Sequence, residues 1–149
     1  MSRIDTTIQI RRPIEQVFDY VTTPANWPKW HPSSLSVSGA IDHSLEVGEQ
    51  VTEEFIVAGR RGRVVWKVRE RIAPRRWVIE GQIEKGGGGT ITYSLAPLHD
   101  GTKFEREFVY TMPNMLTEAL DWLFIRRRIE TESVEALRRL KEVVERREK

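Results

Sequence analysis

The chain has 149 residues, 39% hydrophobic and 31% charged, with a formal net charge of +2 at pH 7, which predicts one domain over 1–149 with enough apolar residues for a core. Zero cysteines exclude disulfides, thiolate metal sites and cysteine nucleophiles, and agree with a cytoplasmic location, as do the lack of an apolar run long enough to span a membrane and of a secretory leader behind Met-Ser-Arg-Ile-Asp. A pI near 9.1 points toward nucleic acid, but Arg138, Arg139 and Lys141 alternate with Glu142 and Glu145, which reads as a solvated helix face with no nucleic-acid partner.

From the N-terminus, Arg3 to Arg11 alternates Ile4, Thr6, Ile8 and Ile10 against Asp5, Thr7, Gln9 and Arg11, the period-two pattern of a half-buried strand. Pro13 then opens a helix where a missing N–H costs nothing, and Ile14, Val17, Phe18 and Val21 form its apolar face. The segment from Pro24 to Pro32 sets Trp27 and Trp30 among three prolines and predicts a stiffened helical turn. Either both rings plug the end of a core, or one walls a ligand pocket.

Ser33 to Met112 reads as six strands joined by short turns. A loop at Gly59–Gly62 sets Phe55 opposite Trp66, Glu53 opposite Val68 and Glu54 opposite Lys67. A turn around Ala73–Arg76 sets Ile72 opposite Trp77, Glu70 opposite Ile79 and Arg69 opposite Glu80. A turn at His99–Thr102 sets Leu95 opposite Arg106, Tyr93 opposite Phe108 and Ile91 opposite Tyr110. Each hairpin then has one apolar, aromatic face and one face of paired charges, so the strands predict a meander with a wet outer side.

The covering element is read from Asn114 to Lys149, one amphipathic helix with Ala119, Trp122, Ile129, Leu137, Leu140 and Val144 along its apolar line and Leu116, Leu120, Leu123 and Val134 on its flank. Arg126 and Ser133 interrupt that line. Either Arg126 snorkels outward to Glu130, or the N-terminal half of the helix borders a cavity.

On the inner sheet face, parity gathers Trp66, Val68, Ile72, Trp77, Ile79, Ile83, Ile91, Tyr93, Phe108, Tyr110 and Met112, together with three ionisable residues, Glu53, Glu70 and Arg106. Unpaired charge is costly inside, so these three reach water at strand ends, pair with one another, or serve a solvated pocket. A glutamate raised by apolar walls suits proton transfer, which makes Glu53 and Glu70, with Arg106, the catalytic candidates. Gly86–Gly89 lacks the Gly-Lys-Ser/Thr order of a phosphate loop. His31, His43 and His99 show no metal-ligand spacing, and no Gly-x-Ser-x-Gly elbow occurs.

Three stretches carry a family resemblance. Ile10-Arg-Arg-Pro-Ile-Glu-Gln-Val-Phe-Asp-Tyr-Val21 runs from an apolar strand through a proline to Val-Phe before a short helix. Thr23-Pro-Ala-Asn-Trp-Pro-Lys-Trp-His-Pro32 holds an asparagine-Trp-x-x-Trp segment, and Glu132-Ser-Val-Glu-Ala-Leu-Arg-Arg-Leu-Lys-Glu142 has the character of a closing helix. In these the chain resembles the START-like, birch-pollen-allergen-like (SRPBCC) superfamily, and within it the polyketide cyclase/dehydrase and lipid-transport family. The resemblance implies an α+β helix-grip fold: a curved seven-stranded antiparallel sheet wrapped around a long C-terminal helix, two short helices after the first strand, and an apolar cavity between sheet and helix. Members bind lipids, sterols, polyketides or plant hormones, and a minority cyclise or dehydrate a polyketide, without a shared catalytic motif and with no cofactor implied.

The leading expectation is a binding protein for a small hydrophobic or amphipathic molecule. Trp30, Trp66, Ile79, Tyr93, Phe108, Tyr110, Leu116 and Leu120 are its walls, and Arg106 anchors a carboxylate or phenolate. The alternatives are a cyclase or dehydratase in which Glu53 or Glu70 moves protons, and a protein-interaction module with a filled core; a cavity of ~300 Å³ or more favours the first two. The charged outer face disfavours sheet-to-sheet pairing, which leaves a monomer or a weak homodimer through Trp122 or Phe124.

Overall fold

The computed structural model describes residues 2–84, 86–111 and 119–146, and of 119–122 the backbone alone. Strand β1 (Ser2–Ile10) leads into helix α1 (Ile14–Val21), a turn of 3-10 helix at Pro24–Asn26, and the one-turn helix α2 (Trp27–Trp30). Strands β2 (Ser34–Gly39), β3 (Gln50–Val57), β4 (Arg60–Ile72), β5 (Arg76–Ile83), β6 (Gly88–Leu98) and β7 (Gly101–Thr111) follow, then the 28-residue helix α3 (Ala119–Arg146). The sheet is antiparallel throughout and ordered β1-β7-β6-β5-β4-β3-β2, so β2 to β7 form the expected meander and β1 joins its far side. Helix α3 touches both β1 and β3. In a flat sheet those strands stand about 24 Å apart, twice the width of a helix, so the sheet curls around α3. This is the expected α+β helix-grip architecture.

The hairpins keep the expected faces but not all of the expected partners. The β3–β4 turn is Ala58-Gly59, with φ of 52° and 78°, the positive-φ geometry of tight hairpin turns whose twist matches that of the strands. Phe55 therefore pairs with Gly62, Glu54 with Arg63 and Trp66 with Val51, four residues from the predicted register. At the β6–β7 turn, Tyr93 pairs with Arg106 and Ile91 with Phe108, two residues from prediction. Both offsets are even, so every side chain stays on its face.

The β4–β5 hairpin departs in kind. A bulge at Arg69 separates the pair Val68–Ile79 from the pair Glu70–Val78, and the extra residue reverses the alternation beyond it. Glu70 and Ile72 thus lie on the outer face, contrary to period-two counting. Glu70 meets Arg76 at 3.0 Å, and Ile72 is 53% exposed. Arg71 turns inward in their place, its guanidinium 5.4 Å from the centre of the Phe18 ring. Arg69 still reaches Glu80 at 2.7 Å.

Helix α3 buries Ile125, Ser133, Ala136, Leu137, Leu140 and Val144 along one face. Its C-terminal half joins a core with Ile10, Val17, Val21, Trp77 and Phe104. Leu123 and Val134, expected on the flank of the buried face, are exposed. The expected packing of Ala119, Leu120 and Trp122, and of Met112 and Leu116, lies outside the described residues and side chains. Arg126 extends to Glu130 at 3.0 Å, the outward alternative, while Ile125 and Ile129 beside it border a cavity, so the two expectations hold together. The helix also holds the backbone of the first strand. Lys141 Nζ donates to the Gln9 carbonyl at 2.9 Å, Arg126 Nη2 donates to the Arg3 carbonyl at 3.4 Å, and the Arg11 amide donates to Glu145 Oε2 at 2.9 Å.

Candidate ligand pocket

A pocket of about 740 Å³ lies between the N-terminal half of α3, helix α2 and the inner surface of β3 to β7. Strand alternation supplies its walls. Glu53 and Phe55 come from β3, Val64 and Trp66 from β4, Ile79 and Ile83 from β5, Ile91 and Tyr93 from β6, and Arg106, Phe108 and Tyr110 from β7. Helix α3 adds Ile125, Ile129 and Ser133 at a spacing of four, which places them on one side of the helix.

Trp27 and Trp30 both border this space. Trp27 is fixed to the core, with its Nε1 donating to the Val21 carbonyl at 3.0 Å and its ring edge-on to Trp77 at 6.4 Å. Trp30 stands 6.5 Å from the Tyr93 ring and 5.9 Å from the His31 ring, and its buried Nε1 has no hydrogen-bond partner. Trp77 lies behind, stacked on Tyr93 at 5.4 Å, with its Nε1 donating to the Leu45 carbonyl at 3.1 Å. That bond ties the loop before β3 to the back of the pocket.

The polar lining includes the charged side chains of Glu54, Arg60, Arg61, Arg63 and Glu84, and Arg106, Tyr93, His31 and Glu53 differ from them and from one another in setting. Arg106 is 5% exposed. Its Nη1 donates to Ser133 Oγ at 3.4 Å, its guanidinium lies 5.4 Å from the centre of the Phe108 ring, and its Nε has no partner. None of the ion pairs among the described residues includes it. Burial pushes the Tyr93 phenol up to about 12, against the pull of the neighbouring Arg106 charge, so Tyr93 keeps its proton. His31 is held well below its ordinary 6.5, first by burial and then by the charges of Arg106 and Arg139, so its ring is neutral at pH 7. His31 Nδ1 accepts the Ser33 amide at 3.1 Å, which assigns the ring proton to Nε2.

Glu53 is raised above its ordinary value by burial, opposed by the Ser34 hydroxyl, the Trp66 indole and the Arg106 charge. The Trp66 Nε1 donates to its Oε1 at 2.9 Å. A carboxyl poised in this way can give or take a proton, and the donors around Arg106 can hold an electron-rich oxygen.

Of the predicted site residues, Trp30, Glu53, Trp66, Ile79, Tyr93, Arg106, Phe108 and Tyr110 line this one space. Glu70 does not, because the bulge carries it to the outer face. Leu116 and Leu120 lie outside the described residues and side chains. Sequence reasoning missed several polar members, among them Arg60, Arg61 and Arg63, and two that bear on Arg106. Ser133 carried a signal, a hydroxyl on an apolar helical line, and it is 1% exposed. His31 carried none beyond its place after Trp30, because its approach to Arg106 is made by the fold.

The family model described as "Polyketide cyclase / dehydrase and lipid transport" matches residues 1–145. The chain belongs to this family. It is similar to the penitrem biosynthesis cluster 1 protein I of Penicillium ochrochloron, 34% identical over 113 residues that make up 72% of each chain. Among solved structures it is similar to TTHA0849 of Thermus thermophilus, with a TM-score of 0.76 and 13% identity over 96% of this chain and 97% of that one. Protein CV1439 of Chromobacterium violaceum gives a TM-score of 0.71 and 19% identity over 96% of both chains. At such identities the solved structures share the fold alone, and the family supports a ligand-binding or polyketide-related role. Among the described residues no group of His, Asp and Glu is placed to hold a metal ion, and no helix is long and apolar enough to cross a membrane.

Proposed function

We propose that this chain binds a small hydrophobic or amphipathic molecule in the pocket between α3 and the sheet. The observation that carries the reading is the pocket itself. Its volume of about 740 Å³ falls within the range of small-molecule sites, and its walls are mainly aromatic and aliphatic. The family description and the Penicillium relative's place in a biosynthetic cluster support the same reading. The test is native mass spectrometry of the purified protein, denaturing extraction of anything bound, and titration with the uncharged probe N-phenyl-1-naphthylamine. Binding that Ile79→Trp abolishes by filling the pocket supports the reading. A protein that carries nothing and leaves the probe unbound overturns it and favours an interaction module.

Glu53 favours a second reading, in which the bound molecule is cyclised or dehydrated. Its buried carboxyl, bonded to Trp66 and raised toward protonation, is suited to move a proton on a molecule held between Arg106 and the aromatic walls. Glu53→Gln separates the readings. Loss of conversion with probe binding intact marks an enzyme, and a variant that converts as the wild type does removes Glu53 from the chemistry.

A further inference from the structure

We propose that the Arg106 end of the pocket is an oxyanion-binding site, so that the molecule held there carries a carboxylate or a comparable oxyanion on an apolar body. This rests on the pocket reading above and adds the chemistry of one end of the ligand. Five side chains meet there. Arg106 and Tyr93 are direct cross-strand partners, Ser133 Oγ lies 3.4 Å from Arg106 Nη1, the Trp30 ring stands 6.5 Å from Tyr93, and His31 follows Trp30 with its ring at 5.9 Å.

What unites them is the direction of their hydrogen bonds. A guanidinium and an indole only donate, and Arg106 Nε and Trp30 Nε1 are both buried without a partner. The His31 nitrogen left free by Ser33 is the one that bears the proton, and Tyr93 keeps its own. Ser133 can donate as well as accept. A neutral carbonyl would occupy one or two of these donors and leave the Arg106 charge unmatched in a buried setting. An oxyanion matches the charge and accepts from several donors at once.

Glu53 supplies that match only in part. The Arg106 charge pulls its carboxyl down, but burial outweighs that pull and leaves it raised, no ion pair joins the two among the described residues, and its Oε1 accepts from the Trp66 indole. Arg106 is absent from the ion pairs of the described residues, which otherwise join most of the arginines to a carboxylate. Arg60, Arg61 and Arg63 also line the pocket, but they are exposed, whereas Arg106 and Trp30 hold their unpartnered donors buried within it.

The test uses two probes on one skeleton, N-phenyl-1-naphthylamine and 1-anilinonaphthalene-8-sulfonate, which differ by the added sulfonate. Both are titrated by calorimetry, so that loss of a tryptophan does not disturb the readout. Arg106→Met is expected to weaken the anionic probe about tenfold or more while moving the uncharged probe less than about threefold. Arg106→Lys should retain much of the anionic affinity. Trp30→Phe, which removes one N–H and keeps a ring, should weaken the anionic probe alone by a few fold, and it decides the matter if Arg106→Met does not fold.

Equal losses on both probes would mean that Arg106 only supports the wall. Unchanged binding of both in Arg106→Met and Trp30→Phe would place the anionic probe elsewhere. Either result overturns the oxyanion site while the pocket reading stands. A wild-type protein that binds neither probe removes the pocket reading and this inference together.

Discussion

Gly81→Ala tests how closely the floor of the pocket is packed, because two effects of opposite sign compete there. A Cβ at residue 81 would lie 2.6 Å from Trp66 Cε3 and 2.7 Å from both Trp66 Cζ3 and Val64 Cγ2, closer than the 3.0 Å that real Cβ contacts respect. Replacing glycine by alanine in a compatible backbone stabilises by about 0.4–1 kcal/mol through the unfolded chain. Overpacking a filled site costs about 1–3 kcal/mol. The clash is with a ring stem and a β-branched side chain on the neighbouring strand, neither of them a flexible tip, so the overlap dominates. The expected net loss is about 1–2 kcal/mol, a fall of roughly 4 °C in melting temperature for a chain of this length, read by circular dichroism. In a Trp66→Leu background the same substitution should cost much less, since only the Val64 contact remains. A Gly81→Ala protein that melts at or above the wild-type temperature would refute the packing described for Trp66, and with it the placement of the indole that holds Glu53.

Leu45 is fully buried although it lies in the loop between β2 and β3, so Leu45→Ala should lose about 2–5 kcal/mol in urea unfolding; a loss under about 1 kcal/mol would detach that loop from the core. Glu53→Gln should be more stable than the wild type at neutral pH. The fold raises the Glu53 carboxyl above its ordinary 4.5, so the unfolded chain releases that proton first, and the wild type loses stability as pH rises through 4.5 toward the folded value. The advantage of the variant should shrink as pH falls below 4.5, and an advantage that does not change with pH would show that the carboxyl is not desolvated.

The strands, the meander and the closing helix were legible because apolar alternation and helical spacing report faces directly. Partners were not, because a hairpin can slip by two or four residues and leave every face unchanged; Ala58-Gly59 and His99-Asp100 set the true register. The bulge at Arg69 was beyond reach of a pattern, since one inserted residue in Arg69-Glu-Arg-Ile72 leaves a charge alternation that reads equally well in either phase. It removed Glu70 from the site and turned Arg71 inward. Placing Glu53 and Arg106 in one pocket needed only parity. Bringing His31 and Ser133 to Arg106 needed the tertiary fold, because one follows α2 and the other lies on α3.

The bonds from α3 to the backbone around β1 bear on how the molecule meets other chains. An open sheet has two margins, and each is a template on which a foreign strand can form a ladder. Here Lys141 and Arg126 occupy carbonyls of the first strand, and Glu145 takes the amide just past it. The opposite margin, β2, is six residues long and broken by a register shift between Ser34 and Ser36. A foreign strand that pairs along the full length of either margin must therefore first displace side chains of α3 or straighten a bulge.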